Sequence, residues 1–258
     1  SKPMKVHRHV VREYEEVQYS LHRYKNTTPH RKTGPAKIMF NGSETWHLYG
    51  QIHRAEGGPA VIEVRRDGGT CFSWIQHGSK HRIGGPAVIW QSQDGGDSFE
   101  EWFFKGRSHR IGQPAITHIT GGVVTMEKWM YYGVLHRKDG PAYKEVNGDE
   151  TWYFHGKMHR IGGPAKVNGK NEEWFVDGKL HRLGGPAQTK VGNTGVLHSW
   201  YKHGKKHRLD GPAWEVGKKK EYWIEGIRIR ATSFKKKVKE YLDNPDEFVR
   251  NNKNGKKA

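Results

Sequence analysis

Apolar residues along this chain come in short runs broken by glycine and proline. Glu150-Thr151-Trp152-Tyr153-Phe154 is aromatic and β-branched, as a half-buried strand should be, and Pro86-Ala87-Val88-Ile89-Trp90 reads the same way. Gly156-Lys157 and Gly178-Lys179 follow such runs and predict tight hairpin turns, where glycine takes a positive φ without steric cost. A second turn is predicted at each Gly-Gly-Pro-Ala, because proline sets φ at the start of the next strand. Asn147-Gly148, Asn168-Gly169 and Asp67-Gly68 are turn dipeptides that close each unit. The period throughout is that of strands, two or three short ones per repeat, and no amphipathic helix fits within residues 29–230.

The runs are copies of one unit. Trp152 to Ala165 reads W-x3-G-x2-H-R-x-G-G-P-A, and a His-Arg to Pro-Ala element recurs at His30, His53, His81, His109, His136, His159, His181 and His207. The gaps are 23, 28, 28, 27, 23, 22 and 26 residues. A tryptophan with glycine four positions on precedes the next histidine at Trp46, Trp74, Trp102, Trp129, Trp152, Trp174 and Trp200, and Trp223/Gly226 reads as a shortened last copy. A recurring unit of this length predicts an all-β, elongated antiparallel meander of about eight hairpin repeats, each packed only on its neighbours. Before it, residues 1–28 read as a basic arm with degenerate first strands around Tyr14 to Arg23, and His7-Arg8 and His22-Arg23 echo the motif without its Gly-Pro-Ala.

After Gly226 the pattern stops, and Ile229-Arg230 stands where His-Arg is due. Thr232 or Ser233 is a candidate N-cap, and Phe234, Val238, Tyr241 and Leu242 share one helical face. Residues 231–258 therefore read as an α-helix capping the open end of the array, a short second helix after Asn244-Pro245, and a basic tail from Lys253.

Charge changes the picture more than composition does. The 258 residues hold 45 Lys and Arg against 27 Asp and Glu, a net +18. Residues 1–40 carry +6, residues 41–201 only +3 and residues 202–258 +9. The densest set is Lys202, Lys205, Lys206, Lys218, Lys219, Lys220, Arg228, Arg230, Lys235, Lys236, Lys237 and Lys239. Such a cluster suits a polyanion, nucleic acid first, without sequence preference. An acidic protein is the other partner it suits. The single Cys71 excludes an intramolecular disulfide framework and fits a reducing compartment. No signal peptide or transmembrane run is evident, so the expectation is a cytoplasmic protein.

The aromatic-x3-Gly-Lys hairpin resembles MORN-like repeats. The fuller form at Lys138-Asp139-Gly140-Pro141-Ala142 and Leu209-Asp210-Gly211-Pro212-Ala213 resembles variant MORN repeat proteins of bacteriophages and large DNA viruses. The resemblance covers roughly residues 29–230. It implies a stack of β-hairpins with a scaffold or binding role, in a host cytoplasm or virion, and it transfers no catalytic residue.

The chemistry the motif residues suggest is structural. One motif histidine per repeat, advancing about 9.5 Å, cannot share a metal ion with bonds of about 2.1 Å. Arg54, Arg82, Arg110, Arg137, Arg160, Arg182 and Arg208 read as donors to carbonyls of the neighbouring turn, with each histidine packed beside its tryptophan. The in-register tryptophans read as core between repeats, while Trp90 and Trp214, outside the register, are candidates for an exposed contact. Cys71 reads as core, and Glu100-Glu101 and Glu172-Glu173 as strand-surface charges. No phosphate loop, nucleophile elbow, C-x-x-C or H-E-x-x-H is present, and no cofactor is implied. Three readings of function follow: a non-enzymatic polyanion binder using its basic ends, a protein-interaction scaffold such as a virion component or an inhibitor of a host protein, and a membrane-surface protein anchored through its basic C-terminal helix.

Overall fold

A computed structural model describes the backbone of residues 6–11, 16–21 and 28–253, and side chains from residue 29. His22-Arg23, the ends of the N-terminal arm and residues 254–258 lie outside the described residues. The protein is all-β, an antiparallel meander of hairpins with two helices at its C-terminal end. Two compact units divide it, 1–135 and 136–258, and the boundary falls within a repeat.

One repeat of the second unit shows how the sequence builds the fold. After Trp152 the chain makes a small hairpin, Tyr153–Phe154 with Lys157–Met158. Its two turn residues are His155 (φ 47°) and Gly156 (φ 75°). Positive φ at both centres is the primed turn that matches the twist of the flanking strands. The turn thus uses the residue before glycine, not the lysine after it, and the same holds at Asp177-Gly178 (φ 50° and 75°). His159-Arg160 and the Gly-Gly-Pro turn follow, then a longer hairpin, Lys166–Asn168 with Asn171–Glu173. The tryptophan is the joint between the two hairpins. The Trp152 N–H donates to the Ala165 carbonyl at 2.6 Å, within the longer ladder, while its carbonyl accepts from the His159 N–H at 3.1 Å, within the small one.

Repeats join through both ladders. Glu172 and Glu173 pair with Thr189 and Gln188 of the next long strand. The small hairpins are linked by the Gly178 N–H to the Met158 carbonyl (2.9 Å) and the Arg160 N–H to the Phe175 carbonyl (3.0 Å). In the first unit the long strands run from Lys37–Met39 to Val123–Lys128 in the same meander, preceded by a hairpin of Val6–Val11 with Glu16–Leu21. The degenerate first strands therefore begin at Val6, upstream of the stretch that the sequence pattern indicates.

The core is thin and regular. The alanine of every Gly-Pro-Ala or Gln-Pro-Ala segment, Ala36, Ala60, Ala87, Ala115, Ala142, Ala165, Ala187 and Ala213, is 0% exposed. Each bond it makes is in the ladder: the Ala187 N–H donates to the Ser199 carbonyl (2.8 Å), and its carbonyl accepts from the Trp174 N–H (2.7 Å). A methyl fills the space, so nothing larger is used.

The last unit ends differently. Counting four back from Gly226, which follows Glu225 at φ 49°, puts Tyr222 in the tryptophan column and displaces Trp223 by one. The backbone agrees, since Arg208 N–H donates to the Trp223 carbonyl as Arg182 does to that of Tyr201. A 3-10 turn, Ala231–Ser233, then leads into α1 (Phe234–Asp243) and α2 (Pro245–Lys253). Ser233 precedes α1 but its hydroxyl bonds the Arg230 carbonyl (3.1 Å) and caps nothing, because the preceding 3-10 turn already holds it. Asn244 does cap α2, accepting from the Glu247 N–H at 3.1 Å while the Glu247 carboxylate accepts from its amide at 3.0 Å. Phe234, Tyr241 and Phe248 close over Ile224 and Ile229, with Leu209, Tyr222 and Val238 packed against them. Leu242, assigned to the same face by spacing, is exposed. Phe248 of α2 instead joins the cluster, with its ring 5.6 Å from that of Tyr241. Lys253, expected in the tail, completes α2. No helix among the described residues is long and apolar enough to cross a membrane.

Candidate nucleic-acid interface

The motif residues exchange the partners expected of them. The arginine turns back on its own repeat. Its Nη1 donates to the proline carbonyl of the same turn at 3.0–3.3 Å in all eight copies. Its guanidinium lies over the tryptophan of its own repeat at 3.7–4.2 Å in Arg54, Arg82, Arg110, Arg160, Arg182 and Arg208. Each stack contributes about 0.5–2 kcal/mol. The tryptophan indoles are thus covered by arginine, which removes one face from any stacking role.

The histidine is the residue that reaches the next repeat. Its Nδ1 accepts the backbone N–H of the left-handed turn residue there: Tyr49 to His30, His77 to His53, Lys105 to His81, Tyr132 to His109, His155 to His136, Asp177 to His159, His203 to His181 and Glu225 to His207, at 3.0–3.3 Å. Those turn residues hold φ of 46–50°. Such backbone costs a non-glycine residue about 1–2 kcal/mol, and the histidine bond helps to hold it. The rings also stack, 4.2 Å apart for His109–Tyr132 and 4.3 Å for His181–His203. At His159 the Asp177 carboxylate lies 3.0 Å from the same Nδ1 that accepts the Asp177 N–H. One nitrogen cannot do both, and the N–H bond, common to all copies, is the structural one. Among the described residues no three His, Cys, Asp or Glu converge as metal ligands.

The basic set divides in two. Glu225 gathers part of it: Lys202 lies 3.5 Å and Lys205 3.4 Å from its carboxylate, and the Tyr241 hydroxyl donates at 3.0 Å. Burial alone would raise the Glu225 carboxyl, but Tyr241, His207 and the two lysines hold it below its ordinary range. Arg228 pairs with Glu221 at 2.9 Å, Lys237 with Glu240 at 2.7 Å, and Lys206 sits 5.0 Å over the Trp223 ring. Of these contacts the Tyr241–Glu225 hydrogen bond joins α1 to the last hairpin, while the Lys237–Glu240 pair lies within α1 and the Arg228–Glu221 pair within the terminal hairpin. Lys218, Lys219, Lys220, Arg230, Lys235, Lys236 and Lys239 are exposed, and among the described residues they have no carboxylate partner. Lys219 and Lys220 stand on the terminal strand Lys219–Ile224, whose first half pairs with Trp214–Val216 on one side only. Lys220, Arg228 and Arg230 line one groove of about 360 Å³ beside that edge.

Other candidates sit elsewhere. Trp90 is half-buried in a cross-strand row with Cys71, Phe99 and His118, beside a groove of about 520 Å³ in the first unit. Trp214 is half-buried with Lys206 6.0 Å away. Burial pushes the Cys71 thiol up, away from nucleophilic thiolate. One glutamate of each pair turns inward. Burial raises Glu101, and Glu173 accepts from Gln188 (2.6 Å) beside Lys190 (3.3 Å). The sequence carried no signal of the histidine–turn bond, since each histidine lies 18–24 residues before the turn residue it holds.

These features define an all-β repeat protein whose repeats are joined by side-chain-to-backbone bonds. No protein-family profile matches the chain, and no curated protein does.

Proposed function

We propose that this is a non-enzymatic binding protein of MORN-like type whose C-terminal end takes a polyanion, the phosphate backbone of a nucleic acid. The observation that carries the reading is the seven exposed cations that have no carboxylate partner among the described residues, Lys218 to Lys220, Arg230, Lys235, Lys236 and Lys239. Lysines on a flexible stem act as point charges and read phosphates, not bases. An open edge strand flanked by cations supplies the groove for an extended backbone.

The test is binding of labelled RNA, single-stranded DNA and duplex DNA across a salt series. Each phosphate contacted contributes about −0.9 to the slope of log K against log salt on duplex and about −0.7 on single strands. Replacing Lys218, Lys219, Lys220, Lys235, Lys236 and Lys239 by Gln should flatten that slope. Replacing Lys202 and Lys205, which share the Glu225 carboxylate, should flatten it less. Equal effects of the two variants, or no binding at low salt, would overturn the reading and turn attention to an acidic protein.

A further inference from the structure

One position of the repeat, the residue after His-Arg, is a large aliphatic in five of the eight copies, with Lys32, Ala55 and Lys138 in the others, and four of those five are exposed. The exposed four are Ile83 and Ile111 in the first unit, and Ile161 and Leu183 in the second. They are 86%, 81%, 84% and 78% exposed, in a chain where most large apolar side chains are at least half-buried. The same position in the last copy is Leu209, and it is covered: it packs against the cluster that α1 and α2 contribute through Phe234, Tyr241 and Phe248. The fold therefore contains its own example of what fits there, an amphipathic helical segment.

We propose that these aliphatic residues are docking contacts for an acidic amphipathic α-helix of a partner protein. Three arguments select that occupant. Successive repeats advance by two strands, about 9.5 Å, and a helix offers same-face residues seven apart, about 10.5 Å. An extended peptide does not match, since its same-face spacings are about 6.8 and 13.5 Å and a third residue points away. Charge decides the rest. The groove of about 490 Å³ that Leu183 lines is walled by Arg182, Arg208 and Lys202, the last also facing Glu225 at 3.5 Å, and the one acid lining it, Asp210, is bound to Arg208 at 2.7 Å. A second copy of this chain set row to row would bring Arg182 and Arg208 against their own equivalents, whereas glutamates flanking an aliphatic heptad would meet cations.

The probe is a synthetic helix of four heptads with Leu at the a and d positions and Glu at e and g, bound to the full chain and read by fluorescence anisotropy. A peptide of identical composition with its apolar positions out of phase controls for charge. The in-phase peptide should bind, and the double variant Ile161→Asp with Leu183→Asp should weaken it about 100-fold, tenfold for each contact, with Ile83→Asp and Ile111→Asp acting likewise in the first unit. Exchanging Ile161→Leu and Leu183→Ile should restore affinity within a few-fold. The variant with Lys218 to Lys220 and Lys235, Lys236 and Lys239 replaced should keep peptide binding, which separates this surface from the polyanion edge. Equal binding of the out-of-phase peptide overturns the proposal, as does an unchanged affinity in the Asp variants. Sedimentation showing a dimer that the Asp variants abolish assigns the row to a second copy and also overturns it. So does flotation with phosphatidylserine vesicles that only the Asp variants lose.

Discussion

Acidification should loosen the repeats from one another, because His30, His53, His136, His181 and His207 are held toward the neutral form. Nδ1 accepts a backbone N–H at 3.0–3.3 Å, so the ring's one proton must sit on Nε2. Protonating Nδ1 sets N–H against N–H, loses a bond of about 1 kcal/mol and leaves a turn amide without its acceptor. His30 and His53 in the first unit, and His136, His181 and His207 in the second, are held below 6.5, by burial first and then by a neighbouring histidine or lysine. A lowered histidine means that the unfolded chain binds more protons, so stability is fully present above about pH 6.5 and falls as pH drops below it. Each bond contributes at most about 1 kcal/mol, and less where solvent reaches the ring, as at His53, His136 and His181, so the summed loss is a modest part of each unit's stability. Carboxylates act in a lower window. Asp94, Asp210 and Glu225 are held below their ordinary values of 3.8 and 4.5, so their contribution is lost only below about pH 4.5. Urea melts followed by circular dichroism from pH 8 to pH 4 separate the two. Stability should be flat to about pH 7 and decline between 6.5 and 5. His181→Ala should cost about 1 kcal/mol at pH 7.5 and make that decline shallower. A profile that stays flat to pH 5 and breaks only below 4.5 would refute the tautomer argument.

Three substitutions test the rest of the repeat. Ala187→Leu forces three extra carbons into a site with 0% exposure, and should cost about 1–3 kcal/mol or more in urea melts. Lys105→Asn keeps the N–H that His81 accepts while placing a residue tolerant of φ near 47°, and should raise stability by about 0.5–1 kcal/mol. Arg160→Lys loses both the planar stack on Trp152 at 4.0 Å and the bond to the Pro164 carbonyl, so a loss of about 1–2 kcal/mol is expected, visible as a change in tryptophan fluorescence at low denaturant.

What the sequence determined by itself is everything local. The tryptophan-to-glycine spacing sets hairpins whose paired residues, such as Tyr153 and Met158, are five apart, so pattern and turn chemistry suffice to place them. The Phe234-to-Tyr241 period and the Asn244-Pro245 break likewise announce two helices without help from the array. Glycine before proline was legible as a turn residue but not as a rule. An added Cβ at Gly163 would meet the Arg160 guanidinium at 2.8 Å, yet Gln113 occupies the same place, because the far end of an arginine can give way. The tertiary structure decided which partner each motif residue takes. Arginine and histidine are adjacent in every copy, and nothing in their spacing says that one stacks on its own tryptophan while the other reaches a turn 18–24 residues ahead. The same distance hid which lysines Glu225 and Glu221 neutralise, and it hid the displacement of Trp223 by Tyr222, visible only from the left-handed residue at Glu225. Exposure of Ile83, Ile111, Ile161 and Leu183 against burial of eight alanines is the inverse of what hydrophobicity alone predicts. It follows from the turn geometry, which points the alanine into a ladder too tight for anything larger and leaves the aliphatic side chain facing outward.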